Sequence, residues 1–475
     1  MIGAGFGGLA AAIDLASRGF RVRVLEAADA PGGKASVAVV DGVEFDTGPS
    51  VLTLPGVFDD VFRLAGTSLR HEVELVEPDP AFRYLWPDGT ALDVAVSPDV
   101  TLANVRRTLG REAEGELASF LAYAKHIWDV VETRFVVGPA PTFRGMLSFS
   151  ALRDLGSIDA MRSMQQGIET RVRSPHLRML LSRYATYNGS DPRRAPGTLN
   201  CIAHVELALG GFGVKGGIRA LVVALVRTAE RLGVELCTRT PVRRILTRDG
   251  RVVGVVTDAG EERASVVVAN ADVAHVFGTL TDLPPPKAQR STSGWTGVVR
   301  ARRGACMGGP RVAHTVLFPR DYTAEFADLF DGRRPPREPT VYLCAQEAAH
   351  QRTGWLDAEP VFLMANAPAD PSLPVDGLRD TVLARSVGAG LLRADDDLVW
   401  DRTPADLAAR FPGSLGALYG AASNDAFAAF RRPANRVAAV RGLYLASGGA
   451  HPGGGMPLCA LSGRAAAQAA AEDLA

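Results

Sequence analysis

Cysteine is scarce in this chain, and lysine is scarcer. Among 475 residues there are five cysteines, and only Lys34, Lys125, Lys215 and Lys287 are lysines among 52 basic side chains. The cysteines, at 201, 237, 306, 344 and 459, stand far apart with no C-x-x-C. No two of the eight histidines stand at i,i+4 spacing beside a carboxylate. A zinc site and a disulfide framework are therefore not expected, no metal site is assigned, and a reducing cytoplasm fits. An excess of either charge is also missing, since 52 basic residues balance 52 acidic ones, which argues against a nucleic-acid partner. No apolar run approaches the ~18 residues of a membrane span. Met1 leads straight into a glycine-rich motif, so no signal peptide is expected and the location reads as cytoplasmic. There is no G-x-S-x-G elbow and no Cys/His nucleophile motif.

Glycine, in contrast, is plentiful at 50 residues, and its placement is informative. The chain opens Gly3-x-Gly5-x-x-Gly8, then a helical run Leu9 to Arg18, then the alternating strand Arg21–Leu25 ending at Glu26. This is the β-turn-α-β start of a dinucleotide fold, in which a helix N-terminus receives pyrophosphate. A carboxylate at Glu26 accepts from ribose hydroxyls and repels a 2′-phosphate, favouring FAD or NAD over NADP. Only Met1 and Ile2 precede Gly3, whereas a central strand carries about five apolar residues. The expectation is that the start lies a few codons too far downstream, or that the short strand weakens FAD binding.

Further along, Gly217 to Leu232 reads as a helix, followed by strand-like runs at Val234–Cys237, Val242–Leu246, Arg251–Asp258 and Val266–Ala269. With the Asp249-Gly250 turn, these suggest an antiparallel meander attached to the nucleotide sheet. Gly442–Ala446 is a strand, and Leu458 to Leu474 an alanine-rich helix. The expected fold class is α/β: a Rossmann-like FAD-binding domain from residues 1–75, 200–282 and 436–475, with an inserted α+β substrate and membrane domain from 76–199 and 283–435. The stripe Leu117, Phe120, Leu121, Ala124, Trp128 and Val131 predicts a helix, with core packing favoured over a tunnel or membrane face. Phe143–Leu152, apolar and poor in charge, is the better membrane candidate.

Two more glycine clusters bear on chemistry. Gly32-Gly33-Lys34 lets the chain double back against a diphosphate, which a plain NAD fold does not need. Gly448-Gly449-Ala450-His451-Pro452-Gly453-Gly454-Gly455-Met456-Pro457 precedes the last helix, with proline in its favoured first turn. Its glycines allow close approach to a flat ligand, and the helix N-terminus would stabilise an anionic reduced flavin by up to ~2 kcal/mol. Glu26 with the second glycine pair resembles the glutathione-reductase-type FAD fold of the amine-oxidase class. That resemblance implies an adenine clamp on a later strand, a position matched by Val242, for which a plain core valine is the alternative.

The His451-to-Pro457 signature, the opening Gly3–Leu9, Phe45-Asp46-Thr47-Gly48-Pro49-Ser50, Arg183 to Pro192 and Lys215-Gly216-Gly217 resemble the bacterial phytoene-desaturase family of carotenoid oxidoreductases. The resemblance implies FAD, a long apolar carotenoid substrate and peripheral association with the cytoplasmic membrane surface; self-association is left open. Gly211–Val214 departs from the aromatic-proline pair common in phytoene desaturases. The last motif and the Tyr-Asn-Gly stretch look nearer to members acting on later, modified carotenoids.

The functional expectation is an FAD-dependent desaturase that removes a hydride and a proton from neighbouring carbons of a polyene. His451, Arg183 and Glu206 are the catalytic candidates, with His204 as a further polar group; the alternative for His204 and Glu206 is a satisfied structural role. Gly3, Gly5, Gly8, Glu26, Gly32, Gly33, Lys34, Val242, Gly448, Gly449, Gly455 and Met456 are the expected cofactor-binding residues. Alternatives are a carotenoid ketolase or oxygenase of the same fold, and a non-redox flavin-fold escort. An amine or porphyrinogen oxidase is weakened by the lack of an obvious aromatic cage.

Overall fold

The structure, a computed structural model, describes residues 1–138, 140, 156–304 and 311–474. Its nucleotide-type sheet is parallel throughout. Glu235–Cys237 pairs with Arg23–Leu25, Ile2 bridges Leu25 to Ala269, and Val267–Ala269 pairs with Leu443–Leu445. The centre of the sheet is therefore a single residue, Ile2, held by its amide on Val268 O at 2.9 Å and its carbonyl on Asn270 N at 2.7 Å. The short first strand read from the sequence is thus paired on both edges.

The opening helix Phe6–Ser17 is apolar except for Asp14 and Ser17, and Ala10, Ala11, Ala12 and Ile13 are fully buried. A helix of that composition belongs inside a layered fold. It packs between Ile218–Arg231 and the closing helix Met456–Leu474. The crossing with the closing helix is backbone on backbone, because a Cβ at Gly463 would collide with Gly7 O. Glycine at both positions is what allows it.

The four strand-like runs after residue 233 divide in a way the sequence pattern did not show. Val242–Arg248, Arg251–Thr257 and Gly260–Arg263 form the antiparallel meander, turning at Asp249 and Gly250, both with positive φ. The two outer runs belong to the parallel sheet instead. Both sets have β composition, and only the long-range pairing distinguishes them.

A seven-stranded mixed sheet forms the second layer system. Its order is Asp397–Arg402, Ser293–Arg302, Ala358–Ala367, Val341–Ala345, His314–Leu317, Phe82–Leu85 and Ala91–Val94. Helix Arg111–Val131 and helix Cys201–Leu207 pack together beside it. Leu117, Phe120, Leu121 and Ala124 enter the core with Tyr84 and Phe318, whereas Ile127, Trp128 and Val131 join a separate cluster with Ile158 and Val205. Phe143–Leu152 lies outside the described residues. No helix among the described residues is long and apolar enough to cross a membrane.

Candidate active site

The nucleotide end is built by the first glycine loop. Gly3 has φ +86, a conformation that suits glycine, and a Cβ there would stand 2.6 Å from Asn270 O. Gly8 lies against Gly3 O, and Gly33 comes within 3.5 Å of the Gly5 Cα at its Cβ position, so Gly32-Gly33 doubles back over the loop. Glu26 is buried at the end of its strand. Its Oε2 accepts from Ala4 N at 2.6 Å and its Oε1 from Ala28 N at 2.8 Å. Thr240 N donates to Glu26 O at 2.8 Å, which brings Val242 and its strand to the same corner. Lys34 does not join this loop electrostatically. Its Nζ donates to Ala417 O at 2.9 Å and Leu418 O at 2.7 Å, and burial lowers its pKa. It fixes the 417–418 loop in place.

The other segments quoted from the sequence have physical partners. Asp46 accepts from Ile218 N at 2.7 Å, and a Cβ at Gly217 would drive into Asp46 and Arg352. Burial raises the Asp46 carboxyl to about 6, against the pull of Arg352 and the Ile218 amide. Asn188 and Ser190 bind Ser423, through Asn188 Nδ2 to Ser423 Oγ at 2.9 Å and Ser423 N to Ser190 Oγ at 2.8 Å. They hold the loop that carries Tyr419, which packs on Gly454.

A cavity of about 430 Å³ opens from the last glycine loop. His451 to Leu458 and Tyr419 line it together with Trp128, Val131, Phe135 and Ile158. The helical stripe of 117–131 is thus core along its first half and cavity wall at its last turn. Gly455 has φ +111 with open space where a Cβ would project. Gly448 and Gly449 stand behind it, against Gly454 and Val273. Met456 begins the closing helix at the cavity wall.

His451 lines the cavity with its Nε2 3.0 Å from Gly138 O. A carbonyl only accepts, so Nε2 carries the hydrogen and Nδ1 keeps the lone pair. Burial lowers the His451 pKa, with Arg432 adding to it and the Gly138 contact opposing. The imidazole is neutral near pH 7. Arg432 itself is buried, and its guanidinium donates to Asn188 Oδ1 at 3.0 Å and to the carbonyls of Gly448 and Ala421 at 3.3 Å. Burial pulls its pKa down to about 10.

Arg183 and Glu206 meet, but they form a closed network. Arg183 Nη1 is 3.8 Å from Glu206 Oε1, which also accepts from Tyr184 OH at 3.0 Å and Tyr84 OH at 3.4 Å, while Tyr187 OH donates to Oε2. Burial alone would lower the Arg183 pKa, yet Tyr187, Tyr84 and Glu206 hold it well above its ordinary value. Arg183 reaches the cavity wall; Glu206 stands behind it. His204, two residues earlier on the helix, faces elsewhere, toward Lys125 and Asp129, and burial lowers its pKa.

The amino-acid pattern over residues 6–300 matches the flavin containing amine oxidoreductase family. Over 98% of its length the chain is 36% identical to the hydroxyneurosporene desaturase of Rubrivivax gelatinosus, covering 92% of that protein. The chain belongs to the FAD-dependent carotenoid-desaturase family. Other members similar to it are the 4,4'-diapolycopene oxygenase of Methylomonas sp, 32% identical with 98% and 96% of the chains covered, and the 1-hydroxycarotenoid 3,4-desaturase of a Flavobacterium, 30% identical with 98% and 97% covered. The fold is that of cyclohexylamine oxidase from Brevibacterium oxydans, with TM-score 0.60 and 16% identity over 100% of this chain and 98% of the other. The α/β architecture and the FAD cofactor expected from the sequence hold.

For a carotenoid-desaturase-family protein, the residues present fit FAD. Glu26 keeps a lone pair on each oxygen for a ribose, Gly455 leaves a Cβ-sized cradle at the cavity, and Ser447 Oγ is buried without a partner beside the last glycine loop. Sequence reasoning missed Asn270, whose Oδ1 accepts from Gly5 N at 3.0 Å and whose Nδ2 donates to Ala446 O. It also missed Arg432, Tyr84 and Tyr184. Asn270 follows directly on Val267–Ala269, and a polar residue at the end of a strand-like run was the available signal.

Proposed function

We propose that this chain desaturates a hydroxylated acyclic carotenoid, at the membrane surface. The observation that carries the reading is the mostly apolar cavity lined by both the last glycine loop and Trp128, Val131, Phe135 and Ile158. A long polyene needs such a space, and the hydroxyneurosporene and 1-hydroxycarotenoid desaturases match the chain over nearly its full length. Val137 and Met161, 65% and 80% exposed, flank the cavity-lining Val136 and Ala160. An apolar rim beside the cavity supports a peripheral membrane habit and delivery of substrate from lipid.

FAD, when bound, supplies the hydride acceptor. The glycine loops and Glu26 would hold its diphosphate and ribose, and the N-terminus of Met456–Leu474 would favour negative charge beside the ring. The protein's remaining tasks are positioning, dryness and one proton. Loss of hydride leaves a cation delocalised along the polyene, which is a strong carbon acid. His451 Nδ1, neutral and at the cavity wall, takes the proton from the adjacent carbon, completing the C=C bond. The apolar walls exclude water that would otherwise capture the cation as an alcohol.

The reading is tested by the product: the FAD-loaded protein should return a 1-hydroxycarotenoid lighter by two hydrogens. Similarity to the diapolycopene oxygenase favours a second reading, oxygen insertion, which the same mass measurement separates. His451→Ala should lower turnover about 10²-fold while flavin content stays near wild type. In the wild type, activity should hold as pH falls through the ordinary histidine range and decline only below it, because the active form is the neutral one and burial lowers its pKa. Equal loss of flavin and turnover in His451→Ala would reduce His451 to a loop-shaping residue.

A further inference from the structure

The cavity wall carries a polar group that neither flavin binding nor proton removal uses. Tyr322, Thr340 and Asn366 all line the cavity. Tyr322 is only 6% exposed, with the Thr340 side chain beside its hydroxyl, yet it makes no hydrogen bond of good geometry. Behind it stands Glu325, buried, whose Oε2 accepts from Thr340 N at 2.9 Å and Thr340 Oγ1 at 2.5 Å while Oε1 is unpartnered. Burial raises the Glu325 carboxyl to about 7, against the pull of Thr340 and Asn366. Two unpartnered buried polar atoms, that of Tyr322 on the wall of a mostly apolar cavity and that of Glu325 behind it, are costly unless a ligand or water meets them.

The position along the cavity matters as much as the polarity. Thr340 and Asn366 each stand two residues beyond the cross-strand pair Tyr342–Met364, so all four share one sheet face. Asn366 pairs with Gly294, Leu418 N donates to the nearby Thr292 O at 3.0 Å, and Tyr419 follows to pack on Gly454. The polar group is thus linked through the sheet to Tyr419 and the last glycine loop. In a 1-hydroxycarotenoid oxidised between carbons 3 and 4, the hydroxyl oxygen is three bonds from carbon 3, roughly 4 Å away. A group that reads that hydroxyl must stand at the reacting end of the cavity.

We propose that Tyr322, Thr340 and Asn366, backed by Glu325, form the subsite that binds the tertiary hydroxyl of the carotenoid end group, given that the substrate is a hydroxycarotenoid. Tyr322 Oη donates to the hydroxyl oxygen, and Asn366 Oδ1 accepts its proton. Bound there, the hydroxyl fixes how far the polyene slides toward the flavin and so which carbons meet it. A hydrocarbon end leaves the Tyr322 hydroxyl without a partner, which is how a polar site rejects an analogue lacking one oxygen.

The test is binding, measured with the flavin pre-reduced so that no turnover occurs. The FAD-loaded protein is titrated with a 1-hydroxy acyclic carotenoid and with its parent hydrocarbon in the same detergent, following the polyene absorbance. The wild type should prefer the hydroxylated compound by at least about tenfold in Kd, and Tyr322→Phe and Asn366→Leu should each cut that preference about tenfold. Tyr322→Phe keeps the ring packed between Phe318 and Phe326, so its fold should be intact. A merely structural role would weaken both ligands together. No preference in the wild type, or a preference kept in both variants, overturns the subsite. A preference lost in the variants while turnover yields an oxygenated product upholds the subsite and removes the desaturase reading instead.

Discussion

Glu26→Gln should purify almost free of flavin. The carboxylate accepts from the Ala4 and Ala28 amides, and on the proposed reading its remaining lone pairs would meet a ribose. A glutamine keeps one acceptor and turns an NH₂ toward a backbone N–H, so one amide of the loop loses its partner. Hydrogen bonds to a charged group contribute about 1.5–3 kcal/mol, so FAD affinity should fall tenfold to a hundredfold or more. The orphaned amide adds about 1–3 kcal/mol of destabilisation, which a protein of this size should tolerate. Glu26→Arg would remove both acceptors and bury a cation among donors, so it conflates flavin loss with loss of fold. The readout is flavin absorbance per protein after desalting, with circular dichroism to show the helices intact. Stoichiometric flavin in Glu26→Gln would remove this carboxylate from the binding site.

Arg183→Met should be the most destabilising single change in the substrate region. It leaves Glu206 buried, with three tyrosine hydroxyls but no cation. Breaking one partner out of a buried pair costs about 3–5 kcal/mol, and the tyrosines place this case at the lower end. Arg183→Met combined with Glu206→Gln should recover most of the loss, because the amide still accepts from the tyrosines without a charge to compensate. Urea midpoints of the FAD-loaded single and double variants test this. If the double variant is as unstable as the single, the effect lies in packing against Tyr187 and Phe82 and not in charge.

What could be read from the chain beforehand depended on whether a feature is local. The glycine loop, Glu26 and the closing helix lie within short windows whose turn and helix chemistry is explicit, and they fold as read. The meander was legible only in part, because Val234–Cys237 and Val267–Ala269 have the composition of either sheet and choose partners far away in the chain, at Arg23–Leu25 and Leu443–Leu445. The clustering of Arg183 with Glu206 could be guessed from their polar character in an apolar region, but not its closure by Tyr84, which arrives from another strand. Lys34 illustrates the limit of motif reading. It is expected among the cofactor-binding residues, and its side chain is engaged by the carbonyls of Ala417 and Leu418, a contact that no short window of the chain reveals. Tyr322 and Thr340 carry no sequence signal, since nothing along the chain marks a hydroxyl as lacking a partner.

The central claim is that a hydride and a proton leave the carotenoid and nothing is added. It is tested most directly by the mass of the product formed by the FAD-loaded protein from a 1-hydroxycarotenoid under labelled dioxygen. The expected product is two hydrogens lighter than the substrate and free of label, consistent with dry cavity walls and a neutral His451 beside the last glycine loop. Label in the principal product would contradict desaturation and assign the chain to oxygen insertion.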